Sequence, residues 1–138
     1  HDVRLGSGCI IGNSPKIAGE VEIDDFAVIS ANVLIHQFCR IGSYVMVGGG
    51  TRTGQDVPPY TMAAREPVAY CGLNLVGLRR HGFSPEVIDQ IHETYRLYYN
   101  AGMSREESFE AIKHNFPNSK EVGYIIDFIK NSKRGVIK

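Results

Sequence analysis

The sequence predicts a β prism followed by a helical domain, and three observations predict it. A six-residue repeat runs through the first 58 residues, a Pro58-Pro59 pair stands where it stops, and three capped amphipathic stretches follow from Ser84 onward. Counting by six from Leu5 gives Leu5, Ile11, Ile17, Ile23, Ile29, Ile35, Ile41, Val47 and Thr53, an aliphatic series broken only at its last member. The residue four after each is Cys9, Pro15, Val21, Ala27, Val33, Cys39, Val45, Thr51 or Val57, never charged. A helix would repeat near 3.6 and a half-buried strand near 2, so neither alone explains a period of six.

A short strand plus a tight bend does explain it. Positions two apart in a strand share a face, so each aliphatic and the small residue two before it both point inward. Gly6, Gly12, Gly42, Gly48 and Gly54 each follow a member of that series and ease the bend. Three strands close a triangular coil of eighteen residues. Residues 5–22, 23–40 and 41–58 therefore form three coils, stacked about 4.8 Å apart in a prism roughly 14 Å tall. An antiparallel β domain would need hairpin signals that the unbroken period does not supply. The inward aliphatics alone do not offset the backbone entropy of so many ordered residues. Further burial is expected from the C-terminal segment, from partner subunits or from upstream coils. His1 falls in phase with a repeat that would begin before it, which implies a longer prism cut at this end.

Pro58-Pro59 is expected to end the paired strands. Residues 59–83 read as an irregular connector with a short strand or turn. Residues 84–138 read as a three-helix domain. Ser84-Pro85-Glu86 supplies a cap, a first-turn proline and an acid ahead of Val87, Ile88, Ile91, Tyr95 and Tyr98. Ser104-Arg105-Glu106-Glu107 is a capping box ahead of Phe109 and Ile112. Asn118 with Glu121 is expected to start a third helix carrying Val122, Ile125, Ile126 and Ile129, with Gly135 as its stop.

Composition narrows the function. Fifteen basic residues balance fifteen acidic ones, which argues against a nucleic-acid binder. With 43% hydrophobic residues the chain is globular, and no apolar run reaches the length of a membrane span. Cys9, Cys39 and Cys71 have no metal or disulfide spacing and read as reduced thiols of a cytoplasmic protein.

Three strings are more specific: His36-Gln37-Phe38-Cys39-Arg40-Ile41-Gly42, Gln55-Asp56-Val57-Pro58-Pro59-Tyr60, and the run Asn74 to Phe83 with Gly77-Leu78 and Arg80. With the helical tail they closely resemble the C-terminal half of the acyl-[acyl-carrier-protein]–UDP-N-acetylglucosamine O-acyltransferases, a family of hexapeptide-repeat transferases. That resemblance implies a left-handed parallel β-helix, a hand that the general crossover rule would not favour. It also implies transfer of an (R)-3-hydroxyacyl chain from acyl carrier protein to the 3-hydroxyl of UDP-N-acetylglucosamine, opening lipid A biosynthesis. A sugar hydroxyl is a poor nucleophile at neutral pH and needs a base within hydrogen-bond reach, a task suited to histidine.

By the resemblance, His1 is that base, Asp2 orients it, and the backbone N–H of Gly19 stabilises the oxyanion. His36 and Gln37 contact the sugar nucleotide. Asn74 and Arg80 hold its uridine and phosphate part, where a guanidinium suits phosphate oxygens. Met46 and Gly49 line the acyl-chain cleft. No metal or organic cofactor is implied beyond the phosphopantetheine of the carrier, and the expected assembly is a homotrimer with sites between subunits. Glu20, Val76 and His81 depart from the family pattern, where a histidine, an acid and a second arginine are usual. Lys130, Lys133, Arg134 and Lys138 give the tail an acid-free basic character that suits an acidic carrier protein. Three other readings are a sibling N-acyltransferase or coenzyme A-dependent acetyltransferase, a non-catalytic trimeric scaffold, and a metal-dependent hydratase. The last is disfavoured because His81, His92 and His114 lie off the prism.

Overall fold

The computed structural model describes residues 2–138; His1 lies outside the described residues. Nine two-residue strands wind through the first 53 positions: β1 (Arg4–Leu5), β2 (Ile10–Ile11), β3 (Lys16–Ile17), β4 (Glu22–Ile23), β5 (Val28–Ile29), β6 (Leu34–Ile35), β7 (Arg40–Ile41), β8 (Met46–Val47) and β9 (Arg52–Thr53). Each pairs in parallel with the strand eighteen residues away, as Ile11 does with Ile29 and Ile29 with Val47. Three faces result: face I is β1-β4-β7, face III is β3-β6-β9, and face II contains β2-β5-β8. The three coils are those the period predicts.

The bends follow a rule the repeat does not announce. Ser14, Glu20, Phe26, Asn32, Phe38 and Tyr44 all have φ between 55° and 69°, at one position of each hexapeptide. That left-handed conformation costs an L-residue on the order of 1–2 kcal/mol and is held here by the ladders on both sides. The glycines after the aliphatics therefore do not make the bend. They let the next coil approach: a Cβ on Gly12 would sit 2.7 Å from the Ala31 nitrogen, and one on Gly42 would sit 2.5 Å from that of Pro59.

The stack runs past Pro58-Pro59, contrary to expectation. Val57 still bridges Ile41, and β10 (Thr61–Ala64) pairs in parallel with β8, so the proline pair forms a corner rather than an end. A Pro lacks only its own N–H, and the ladder resumes two residues later. Strand β11 (Ala69–Leu73) then pairs antiparallel with β10 at the edge of face II. The connector also holds a short helix that was not expected, α1 (Leu75–Arg80), in addition to the three expected after Ser84. The others are α2 (Pro85–Asn100), α3 (Arg105–Asn115) and α4 (Lys120–Lys130). Ser84 and Ser104 cap α2 and α3 as expected, the latter with a complete capping box. The cap of α4 is Ser119 rather than Asn118, and α4 ends at Lys130 with Asn131 as its C-cap, well before Gly135.

The residues after α4 form a strap across the upper end of the prism. Asp56 donates its N–H to the Gly135 carbonyl and accepts at its own carbonyl from Ile137, both within 3.0 Å. Ile137 is buried in the prism core beside the coil aliphatics. Tyr99 donates to the Ile137 carbonyl at 2.7 Å and Tyr95 to the Pro59 carbonyl at 2.6 Å, tying α2 to the same end. The extra burial that the coils require comes in part from here.

Candidate active site

Each corner of the prism stacks equivalent residues from successive coils, so the period of eighteen decides which side chains share an edge. The corner between faces III and I carries Asp2, then Gly19 and Glu20, then His36, Gln37 and Phe38, then Gly54. Asp2, His36, Gln37 and Phe38 are all exposed. His36 donates its N–H to the Thr53 carbonyl at 3.0 Å, which fixes its backbone. Its ring lies over Gly54, where a Cβ would come within 3.4 Å of the imidazole Cδ2. His1, the expected base, lies outside the described residues. The repeat puts it one coil before Gly19.

The hexapeptide geometry explains why Gly19 can be a donor. Its equivalents Ser7 and Ser43 both send their N–H outward, Ser7 to the Asp25 carboxylate and Ser43 to the Tyr124 hydroxyl, each at 2.8 Å. The Gly19 carbonyl accepts from the Phe38 N–H at 3.3 Å, while its own N–H meets no acceptor among the described residues. An outward backbone donor with no internal partner is what a developing oxyanion requires.

Beside this edge lies a groove of about 510 Å³ walled by Glu20, Phe38, Arg40, Lys133 and Arg134. Arg40 is engaged: it pairs with Glu22 at 3.5 Å and its guanidinium lies 4.2 Å above the Phe128 ring. Asp56 is buried beneath, accepting from the Arg40 N–H at 2.8 Å and from the Ser132 hydroxyl at 2.6 Å. Burial pushes the neighbouring Cys39 thiol above its ordinary pKa, Asp56 adds to the rise, and the Arg134 cation opposes it. Cys39 is a filler of the corner, not a nucleophile.

Asn74 and Arg80 stand on a different corner, between faces I and II. Asn74 is buried as the cap of α1. Its Oδ1 accepts from the Gly77 N–H at 3.2 Å and its Nδ2 donates to the Tyr44 carbonyl at 3.0 Å. Arg79 and Arg80 project from the last turn of α1, where cations suit the helix dipole. His81 caps that turn against Phe26 and Tyr44, ring centroids 4.9 and 5.1 Å away. Phe26, Tyr44 and Tyr60 stack up this corner at 5.2 and 5.9 Å. Sequence reading missed the ladder, although Phe26 and Tyr44 are one coil apart and Gly8 leaves room below them.

Met46 and Gly49 fall on a third region. Met46 is half-buried on face II, between Val28 and Met62 along the sheet. Gly49 is exposed at the corner between faces II and III, where a Cβ would meet only the Ala31 carbonyl, at 3.6 Å. Within one chain the structure thus gathers Asp2, Gly19, His36 and Gln37 on one edge and leaves Asn74, Arg80, Met46 and Gly49 on others. Among the described residues no group of three His, Cys, Asp or Glu is placed to hold a metal ion. No helix among them is long and apolar enough to cross a membrane.

Comparison with known proteins agrees with this architecture. A UDP-N-acetylglucosamine acyltransferase from Bacteroides fragilis, LpxA, superposes with a TM-score of 0.97 at 54% identity over the whole chain and 54% of its own length. The UDP-N-acetylglucosamine acyltransferase of Francisella novicida superposes at 0.93, with 39% identity, over 99% of this chain and 50% of its own. The prism shares the left-handed β-helix of these structures. A curated acyl-[acyl-carrier-protein]–UDP-N-acetylglucosamine O-acyltransferase of Halorhodospira halophila is 41% identical over all 138 residues, which cover 54% of that relative. This chain therefore spans about half the length of the relatives it matches, their C-terminal half. Residues 56–137 match the family model of UDP N-acetylglucosamine O-acyltransferase, domain 2. With that match extending over most of the chain, the protein belongs to the UDP-N-acetylglucosamine O-acyltransferase family.

Proposed function

We propose that this chain carries the catalytic edge of an enzyme that moves an (R)-3-hydroxyacyl group from acyl carrier protein to the 3-hydroxyl of UDP-N-acetylglucosamine, the first step of lipid A biosynthesis. The observation that carries the reading is the edge between faces III and I. It presents an outward Gly19 N–H with no partner among the described residues, one coil before His36-Gln37 and one coil after the register of His1-Asp2. His1 takes the proton of the sugar hydroxyl, and the oxygen forms its bond to the thioester carbonyl carbon. The resulting oxyanion is held by the Gly19 N–H. Collapse breaks the carbon–sulfur bond, and His1 returns its proton to the departing phosphopantetheine thiolate. Asp2 holds the imidazole and favours its protonated form. No metal or organic cofactor takes part.

His36 and Gln37 contact the sugar. Arg80 faces the diphosphate, and Asn74 serves it mainly by fixing the start of α1. Met46 and the open notch at Gly49 receive the acyl chain. These groups lie on separate corners of one chain and complete one site when copies associate as a homotrimer. The acidic carrier is attracted by the basic tail from Lys130 to Lys138. The protein acts in the cytoplasm, where carrier and sugar nucleotide are made.

The test uses the complete gene product with (R)-3-hydroxyacyl carrier protein or acetyl-coenzyme A as rival donors. O-acylated sugar nucleotide is expected from the carrier-bound donor alone, and His1→Ala should lower kcat by ~10²–10⁴. Equal use of acetyl-coenzyme A would replace the reading with a sugar acetyltransferase. Unchanged turnover in His1→Ala would remove the base.

A further inference from the structure

Resting on the reading above, we propose that Arg134, carried by the strap after α4, is a positioning residue for the sugar-nucleotide edge and acts through Gly54 and His36. Three observations converge on it. Its Nε and Nη2 both donate to the Gly54 carbonyl, at 3.2 and 3.1 Å. Gly54 is the floor on which the His36 ring lies, and a Cβ there would touch the imidazole at 3.4 Å and Arg134 Nη2 at 3.9 Å. Arg134 also sits close enough to Cys39, the last residue of the His36 turn, to oppose the upward shift of its thiol.

The corner needs such a brace because of where it stands. Gly19 and His36 each have a further coil stacked on them, through the Phe38-to-Gly19 and His36-to-Thr53 hydrogen bonds. Gly54 ends the column of residues stacked on His36, and among the described residues no strand of face III follows β9. Its carbonyl has no ladder partner and is taken by the guanidinium fork instead. A lysine keeps the charge but offers a single ammonium, not two parallel N–H groups in a fixed plane. The strap that delivers Arg134 is itself anchored, with Ser132 on Asp56 before it and Ile137 in the prism core after it. The end of the chain thus reaches back some eighty residues to set the angle of an exposed histidine.

The experiment compares wild type, Arg134→Lys and Arg134→Gln in the complete gene product. Acceptor and donor KM, kcat and thermal midpoint are measured, and the His36 imidazole is followed by histidine-selective carbon-13 NMR. Arg134→Gln should raise the KM for UDP-N-acetylglucosamine roughly tenfold, the size of a lost charge-assisted hydrogen bond, with kcat and thermal midpoint nearly unchanged. Arg134→Lys should recover only part of that loss, and the His36 resonances should move in both variants. A rise confined to the KM of the carrier-bound donor would overturn the proposal and make Arg134 a simple docking charge. Full recovery by lysine, or a loss of kcat that tracks the thermal midpoint, would overturn it as well. If wild type does not acylate this acceptor, the functional reading fails on its own. The NMR arm then decides the positioning role: unmoved His36 resonances in Arg134→Gln refute it, and displaced ones uphold it.

Discussion

The first and the last of the described coils are built from the same hexapeptide, yet their inward aliphatics are buried to different degrees in this chain. In the first coil Leu5 is 55% exposed, and Ile11 and Ile17 are only half-buried. From Val21 upward every inward position is sealed, and at the upper end Val57, Ala63 and Ile137 close the core. An aliphatic in this fold is therefore buried by its coil neighbours above and below, not by its own coil. Two-residue strands are too short to shield anything alone, and the upper end is closed by segments that contain no repeat at all.

The contrast can be broken most directly at a middle coil. Ile35→Ala removes a fully buried side chain with coils on both sides and should cost about 2–5 kcal/mol in urea unfolding. Ile137→Ala tests whether the strap is a true lid. It should cost about 2–3 kcal/mol, somewhat less than Ile35→Ala because a terminal segment can settle into the space. Gly42→Ala should cost about 1–3 kcal/mol by forcing Pro59 away, a loss from crowding and not from backbone dihedrals. Leu5→Ala, the same kind of change in the first coil, should cost under about 0.5 kcal/mol when measured on this 138-residue chain. Equal losses for Leu5→Ala and Ile35→Ala would end the comparison.

Alkaline pH separates the upper end from the lower. Burial raises Tyr70 to about 12 and also pushes Tyr60, Tyr95, Tyr99 and Tyr124 up, and all five lie around the strap and the helices. A folded-state pKa above the unfolded value of about 10 means that their stabilisation is whole below pH ~10 and declines as pH rises toward the folded values. Tyrosinate absorbance should therefore appear together with loss of helical circular dichroism above pH ~10. A gradual rise centred at 10 with the helices intact would show these rings to be exposed.

Much of this was readable from residue order. The coil register, the caps Ser84 and Ser104 and the buried stripe Ile125-Ile126-Ile129 all follow from short-range chemistry. The αL bends were not readable, because most residues there are Phe, Tyr, Glu or Ser, whose local preference is elsewhere, and only Asn32 favours that region. Their conformation is imposed by the ladder hydrogen bonds of adjacent coils. Helix α1 was missed because six residues interrupted by Gly77 carry too little periodicity, and it persists by Asn74 gripping Tyr44. Of the candidate site, Gly19, His36 and Gln37 were named by the family resemblance, and the eighteen-residue coil then places them on one edge. The aromatic ladder and the contacts of Arg134 were not legible, since their partners lie in other elements.

Sequence alone determined that this chain winds, where its coils stack and which residues share each edge, because a period of six leaves a strand-and-bend chain no other way to bury its aliphatics. Only the tertiary structure decided how the stack is closed: Pro58-Pro59 as a corner, β10 and β11 as an extension, and residues 131–138 returning to plug the core with Ile137 and brace Gly54 with Arg134. Those contacts join residues up to about eighty positions apart, and nothing in the local pattern at either end specifies the other.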